Sequence, residues 1–315
     1  MLVQRLIYGS LLAGLLLLLV WIDGALSARV RDPGRTGAVP AMPWLGNGAI
    51  ITGIVLVFSL LATRELLRFA RATGHSRPFP IVAYVFSTAL VIGPFLNFNL
   101  RATGEWSDES WGMMWLAIAL GTGFVLQGVW RRSQHAMVNL ATTIFIIFYA
   151  GGLAGYMTKL RMEIGGWHGM IVVVFSMFLV KMTDVGAYFV GRLTGRHKLI
   201  EWLSPKKTWE GVIGGYVVAL VCALAVGTPL YAYDMFALGN RWLAYPWGLV
   251  VLALTMATAG IAGDLFASLL KRDAAMKDSG SSLPGMGGVL DVLDSVLLAA
   301  PAAWFFWTRL IIYDH

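Results

Sequence analysis

Residues 245–312 read YPWGLVVLALTMATAGIAGDLFASLLKRDAAMKDSGSSLPGMGGVLDVLDSVLLAAPAAWFFWTRLII. Two long apolar runs, 245–268 and 289–312, flank a charged, Gly/Ser-rich interruption. Each run is long enough to cross the roughly 30 Å hydrocarbon core of a bilayer as a helix. The same alternation recurs along the chain and gives nine expected spans: 5–23, 48–70, 80–100, 111–130, 137–157, 169–190, 210–230, 245–268 and 289–312. A closed barrel would need short alternating strands, and the runs are continuous instead. The fold class expected is therefore an all-α integral membrane protein, a polytopic bundle of about nine transmembrane helices in one domain. Within it, 1–110 are N-terminal helices, 111–168 middle helices, and 169–315 the helices that carry the polar motifs.

Composition agrees. Of 315 residues 58% are hydrophobic and only 13% charged, against about 25% charged in soluble domains. The first run follows Arg5, and the many later spans make it a retained helix in place of a cleaved signal. The formal charge is +7, but the basic residues gather at span ends, where they meet anionic headgroups; no nucleic-acid partner is expected. Cys222 is the one cysteine and the five histidines are dispersed, which excludes a disulfide framework and a zinc site of the usual spacing.

Nine spans put 15 Lys and Arg on the side of the N-terminus and 8 on the other, with Lys181 inside a span. The positive-inside rule makes the richer side cytoplasmic. The two most polar segments, Asp184–Glu210 and Ser268–Asp294, then face the same compartment, so a cytosolic-facing polar site is expected.

The charged residues have defined spacing. Asp264, Ser268 and Lys271 fall on one helical face. A carboxylate as deep as Asp264 costs at least ~2.5 kcal/mol on insertion scales unless a cation, metal or proton offsets it; Lys271 or Lys181 could be a purely structural partner. Asp291 and Asp294 lie one turn apart near a helix start, where the dipole favours negative charge and where a cation between them would relieve their repulsion. Three carboxylates are hard oxygen ligands of the kind Mg²⁺ shares with phosphates. Between them, Lys277, Asp278, Gly280 and Gly285–Gly288 supply backbone suited to an anion, beside Lys271 and Arg272. Upstream, Ser204 and Pro205 read as an N-cap and first-turn proline. That would set Lys206, Lys207, Thr208 and Glu210 at a helix N-terminus, an anion-binding position. Lys181 and Asp184, three apart, could simply pair. Gly151-x-x-x-Gly155 is a helix-packing pattern.

The run Ser268-Leu-Leu-Lys271-Arg272, Lys277-Asp278, Gly280, Leu283-Pro284, Gly287-Gly288 and Asp291…Asp294 resembles the signature of the phosphatidate cytidylyltransferase (CDP-diacylglycerol synthase) family. The block from Asp184 through SPKKTWEG resembles a second motif of that family. Two positions depart from its pattern: Met286 stands where the family has His, and Val292 where it has Arg.

The resemblance implies that phosphatidate attacks the α-phosphorus of CTP, with CDP-diacylglycerol and pyrophosphate as products, in phospholipid biosynthesis. It implies Mg²⁺, with or without a second cation, on Asp264, Asp291 and Asp294. Asp264, Lys271 and Asp291 would be catalytic. Asp184, Ser204, Lys206, Lys207, Thr208, Glu210, Ser268, Arg272, Lys277 and Asp278 would bind substrate. It also implies CTP, phosphatidate or a similar lipid phosphate, and membrane lipid as partners, and a homodimer in the bacterial inner membrane with its active site toward the cytoplasm. The competing readings are a CTP-dependent transferase acting on another lipid phosphate and a transporter with intramembrane charges.

Overall fold

The computed structural model describes residues 14–27, 48–101, 111–236, 246–276, 279–280 and 287–311. It is helical almost throughout, as backbone in lipid must satisfy its own polar groups. In chain order the helices are α1 (Gly14–Ser27), α2 (Ala49–Ala72), α3 (Pro80–Arg101), α4 (Trp111–Arg131), α5 (Ala136–Ile164), α6 (Gly166–Thr194), α7 (Trp209–Ala232), α8 (Trp247–Asp273) and α9 (Val289–Leu310). Among the described residues, eight of these are long and apolar enough to cross a membrane, and α1 is a shorter apolar helix. The eight long helices follow the expected spans closely, while 5–13 of the first expected span lie outside the described residues; the chain is an all-α polytopic membrane protein.

Contacts divide the chain into two compact units. The first comprises Met1–Met162 and Leu270–Val292, the second Glu163–Leu269 and Leu293–His315.

In the first unit, helices approach through small residues. A Cβ on Gly151 would come within 2.5 Å of the Ser87 backbone, and one on Gly155 within 2.5 Å of the Leu90 carbonyl. Pro94, inside α3, has no N–H to offer that carbonyl four residues back. Gly155 thus makes room at the point where α3 lacks a hydrogen bond. The Ser59 hydroxyl of α2 donates to the Ala150 carbonyl of α5 at 2.8 Å. A buried ion pair ties α1 to α5: Arg161 Nε and Nη2 donate to Asp23 Oδ2 at 2.9 and 2.8 Å, and Nη2 also donates to Ser27 Oγ.

In the second unit, α6 and α7 pack along a seam of glycines. Gly186 lies against Val218, Gly214 against Val190, and Gly215 against Thr183. An antiparallel hairpin joins the two helices, β1 (Lys198–Ile200) paired with β2 (Ser204–Thr208). Phe175, Phe236 and Trp307 pack as tilted rings in the core of the second unit, where Trp307 Nε1 donates to Ser176 Oγ at 2.9 Å.

The hairpin corrects one expectation. Ser204 and Pro205 do not start a helix. Thr208 is the N-cap of α7, its Oγ1 accepting from Gly211 N at 3.1 Å. The dipole explains the choice. Starting at Ser204 would bury two lysines in a helix's positive first turn, whereas starting at Trp209 leaves only Glu210 there.

Candidate active site

The candidate residues form a cluster in each unit. In the first, the last turn of α8 carries Lys271 and the first turn of α9 carries Asp291. Lys271 Nζ lies 2.8 Å from Asp291 Oδ1, and both side chains are largely buried. Asp291 Oδ2 accepts from Ser279 N at 3.0 Å, Ser279 Oγ at 2.8 Å and Gly288 N at 3.1 Å. Asp291 therefore fastens Ser279 and Gly288 to the start of α9. Gly287 sits at φ +95°, a conformation glycine adopts without strain. A Cβ on Gly288 would collide with the Ser279 hydroxyl. Lys277, Asp278 and Met286 lie outside the described residues. Arg272 is exposed.

This cluster rests on a residue that the sequence reading did not single out. Glu65, in the middle of α2, is fully buried. Its Oε1 accepts from Val289 N at 2.9 Å and its Oε2 from Leu290 N at 2.8 Å. These are N–H groups that a helix cannot satisfy internally, and a carboxylate there also complements the dipole. The signal was available: a lone carboxylate within the apolar run 48–70 needs partners inside the protein. Glu65→Ala is expected to destabilise the protein by about 2–3 kcal/mol, because two buried donors lose their acceptor. Thermal unfolding in detergent measures this, and Glu65→Gln should recover part of the loss.

In the second unit, Asp294 of α9 lies in the field of two further carboxylates. Asp294 is 8% exposed, and it interacts electrostatically with Asp264, Asp184 and Lys181. Asp264, of α8, receives Lys207 Nζ at 2.7 Å. The sequence offered Lys271 or Lys181 as its structural partner; the strand β2 supplies Lys207 instead. Lys181 and Asp184 do pair, at 3.3 Å. The buried Ser295 hydroxyl bridges them, 2.9 Å from Lys181 Nζ and donating to Asp184 Oδ2 at 2.9 Å. Asp294 Oδ1 accepts from Ser295 N at 2.6 Å. Close approach of α8 makes this possible: a Cβ on Gly263 would collide with the Asp294 carbonyl oxygen. Ser268 is half-buried one turn beyond Asp264.

The hairpin carries the remaining candidates. Lys206 is exposed and Lys207 half-buried. Ser204 pairs in register with Ile200. Glu210 turns to the α6–β1 connection. It accepts from Arg196 N and His197 N at 3.2 Å and meets His197 Nδ1 at 2.6 Å, which pins the α6–β1 connection to α7.

The donor chemistry suits a hard divalent cation. Asp184, Asp264 and Asp294 offer only oxygen, and their mutual repulsion calls for positive charge, which Lys181 and Lys207 supply here. Among the described residues, no three His, Cys, Asp or Glu side chains are gathered at metal-holding separations. Each of the carboxylates Asp264 and Asp184 holds a lysine ammonium instead, through Lys207 and Lys181.

Residues 36–310 match the Cytidylyltransferase family. The chain is 35% identical over 270 residues to a phosphatidate cytidylyltransferase of Haemophilus influenzae, an alignment that spans 79% of this chain and 86% of that one. It is 29% identical over 266 residues to the phosphatidate cytidylyltransferase of Mycobacterium bovis, with 82% and 80% spanned. With that of Synechocystis sp. it shares 28% over 294 residues, with 85% and 91% spanned. Lysines paired to aspartates in the matched segments of an all-helical membrane protein are consistent with transfer between phosphates, and the chain belongs to the Cytidylyltransferase family, as a membrane-embedded nucleotidyltransferase.

Proposed function

We propose that this protein transfers the cytidylyl group of CTP to phosphatidate. A phosphate oxygen of phosphatidate attacks the α-phosphorus of CTP, the bond to the β-phosphate oxygen breaks, and pyrophosphate leaves with that electron pair. The product is CDP-diacylglycerol. The nucleophile is already an anion, so no serine or cysteine nucleophile is needed; the protein contributes position and charge. The observation that carries the proposal is the presence of two lysine–aspartate pairs, Lys207–Asp264 and Lys271–Asp291, in the segments that match the family.

In this reading Lys207, in the second unit, and Lys271, in the first, are each held on a carboxylate until phosphate arrives, and each then neutralises phosphate charge. Arg272 adds exposed positive charge in the first unit and Lys206 in the second. Ser295 keeps Lys181 and Asp184 in place beside Asp294. We assign Mg²⁺ to Asp264 and Asp294. When bound, it would neutralise the triphosphate and polarise the α-phosphorus. Asp291, which the sequence suggests as a further ligand, already accepts four hydrogen bonds; its first role here is to hold the loop and Lys271. The substrate relatives' names, the membrane-spanning helices and the positive-inside count favour an inner-membrane enzyme whose site faces the cytoplasm. A homodimer belongs to the same proposal and is checked by mass measurement in detergent.

Chelation with EDTA is expected to abolish turnover, and added Mg²⁺ to restore it. Lys271→Met is expected to lower kcat/KM for CTP by about 10–100-fold, the value of a charge-assisted hydrogen bond. Turnover that persists in EDTA would remove the metal from the proposal. A lipid panel tests the acceptor: activity on another lipid phosphate with none on phosphatidate would replace the substrate and leave the reaction type intact.

A further inference from the structure

The first unit contains a cavity of about 440 Å³ that the transfer reaction does not use. Leu66 and Phe69 of α2, Phe145 and Ile146 of α5, and Leu270 of α8 form its apolar wall. Its polar residues, Thr73, His75, Ser76, Thr142 and Asp273, gather toward the end where α2 and α8 stop and α5 begins. From Leu66 to Thr73 the wall runs about 10 Å at the helical rise. A volume of this size lies within the range of small-molecule sites. An apolar shaft with a polar mouth at a helix end suits an amphiphile.

The mouth has a definite polarity. Each hydroxyl has one proton to give, and all three are spent on main-chain carbonyls. Thr73 and Ser76 donate to Ala70 O at 2.9 and 3.1 Å, and Thr142 donates to Val138 O at 2.7 Å. The hydroxyls can therefore offer the cavity only lone pairs. Asp273 accepts only, and His75 is the one lining side chain with a proton left to donate. Such a rim repels a bare phosphate and matches a primary ammonium with its three N–H donors. Arg71 and Arg77, exposed in the same stretch, are cations available to a phosphodiester beyond it.

We propose that this cavity binds one chain of an amino-headed membrane lipid, its ammonium group on Asp273 and the hydroxyl oxygens. The site uses the face of the last turn of α8 that carries Leu270 and Asp273, while Lys271 on that turn holds Asp291.

The test uses the full-length protein in detergent and native mass spectrometry. Lipids of identical chains are compared with ethanolamine, choline and glycerol headgroups; choline keeps the charge without N–H donors. The ethanolamine lipid is expected to be retained about tenfold more than the choline lipid, the effect of one charge-assisted hydrogen bond. Asp273→Asn should bring the ratio close to one. Ala141→Phe, which fills the cavity, should abolish retention of the ethanolamine lipid at this site, with an unchanged unfolding temperature reporting an intact fold. Equal retention of the three lipids by the wild-type protein would overturn the proposal. So would a preference that survives in either variant.

Discussion

Asp264→Asn is expected to lower cytidylyl transfer by about 10²–10³-fold, the range for loss of one preorganised charge-stabilising group. The side chain sits on α8, 32% exposed, with Lys207 Nζ at 2.7 Å. Asparagine has the same shape but no charge. It removes a proposed Mg²⁺ ligand and also the anion that keeps Lys207 in place. Because the group is partly exposed and pairs with a lysine across to β2, little stability depends on it; a surface-type pair contributes about 0–1 kcal/mol. Activity should therefore fall while the unfolding temperature holds. The loss should appear in kcat and should not be recovered by saturating CTP, since charge neutralisation at the α-phosphorus is needed most in the transition state. Turnover within a few-fold of wild type, at the same Mg²⁺ requirement, would contradict the assignment.

Arg161→Ala should produce the largest change in stability. Arg161 is 1% exposed and Asp23 0%. Three hydrogen bonds from the guanidinium join Asp23 and Ser27 of α1 to α5. Asp23 Oδ1 also approaches Ile51 N of α2 at 3.4 Å. Truncating the arginine leaves a buried carboxylate without compensation, and breaking such a pair costs about 3–5 kcal/mol. Replacing both partners, Asp23→Leu with Arg161→Met, should recover much of that, because no uncompensated charge remains. Unfolding of the purified protein in detergent, followed across the four members of this cycle, checks the sign and the coupling. A single variant within about 1 kcal/mol of wild type would show that the pair is not a keystone of the first unit.

These two residues also show what the sequence made legible. Long apolar runs give the eight described helices long enough to cross a membrane, because in lipid no other local structure satisfies the backbone. Asp264 and Asp294 were visible for a related reason: a charge at the edge of such a run needs a partner. What remained hidden depends on partners distant along the chain. Asp23 and Arg161 are 138 residues apart, and nothing local in either segment couples them. Glu65 stood in an apolar run and could have been marked, but its role as cap of α9, 224 residues later, has no local signature. The hairpin before α7 was missed because Ser-Pro is an ordinary helix start. The deciding competition, two lysines in a first turn against Thr208 as cap with Glu210 following, is apparent only once both starts are compared. The partner of Asp264 came from that same hairpin, so one error of local structure also hid the Lys207 contact.

Transfer of the α-phosphorus of CTP to a lipid phosphate can be followed by labelling that atom. Purified protein is incubated with Mg²⁺, phosphatidate and CTP labelled at the α-phosphorus, and the organic phase is counted against pyrophosphate in the aqueous phase. The label is expected to enter CDP-diacylglycerol, with one pyrophosphate for each label transferred. Label that stays wholly in the aqueous phase, with the folded protein, Mg²⁺ and both substrates present, would contradict it.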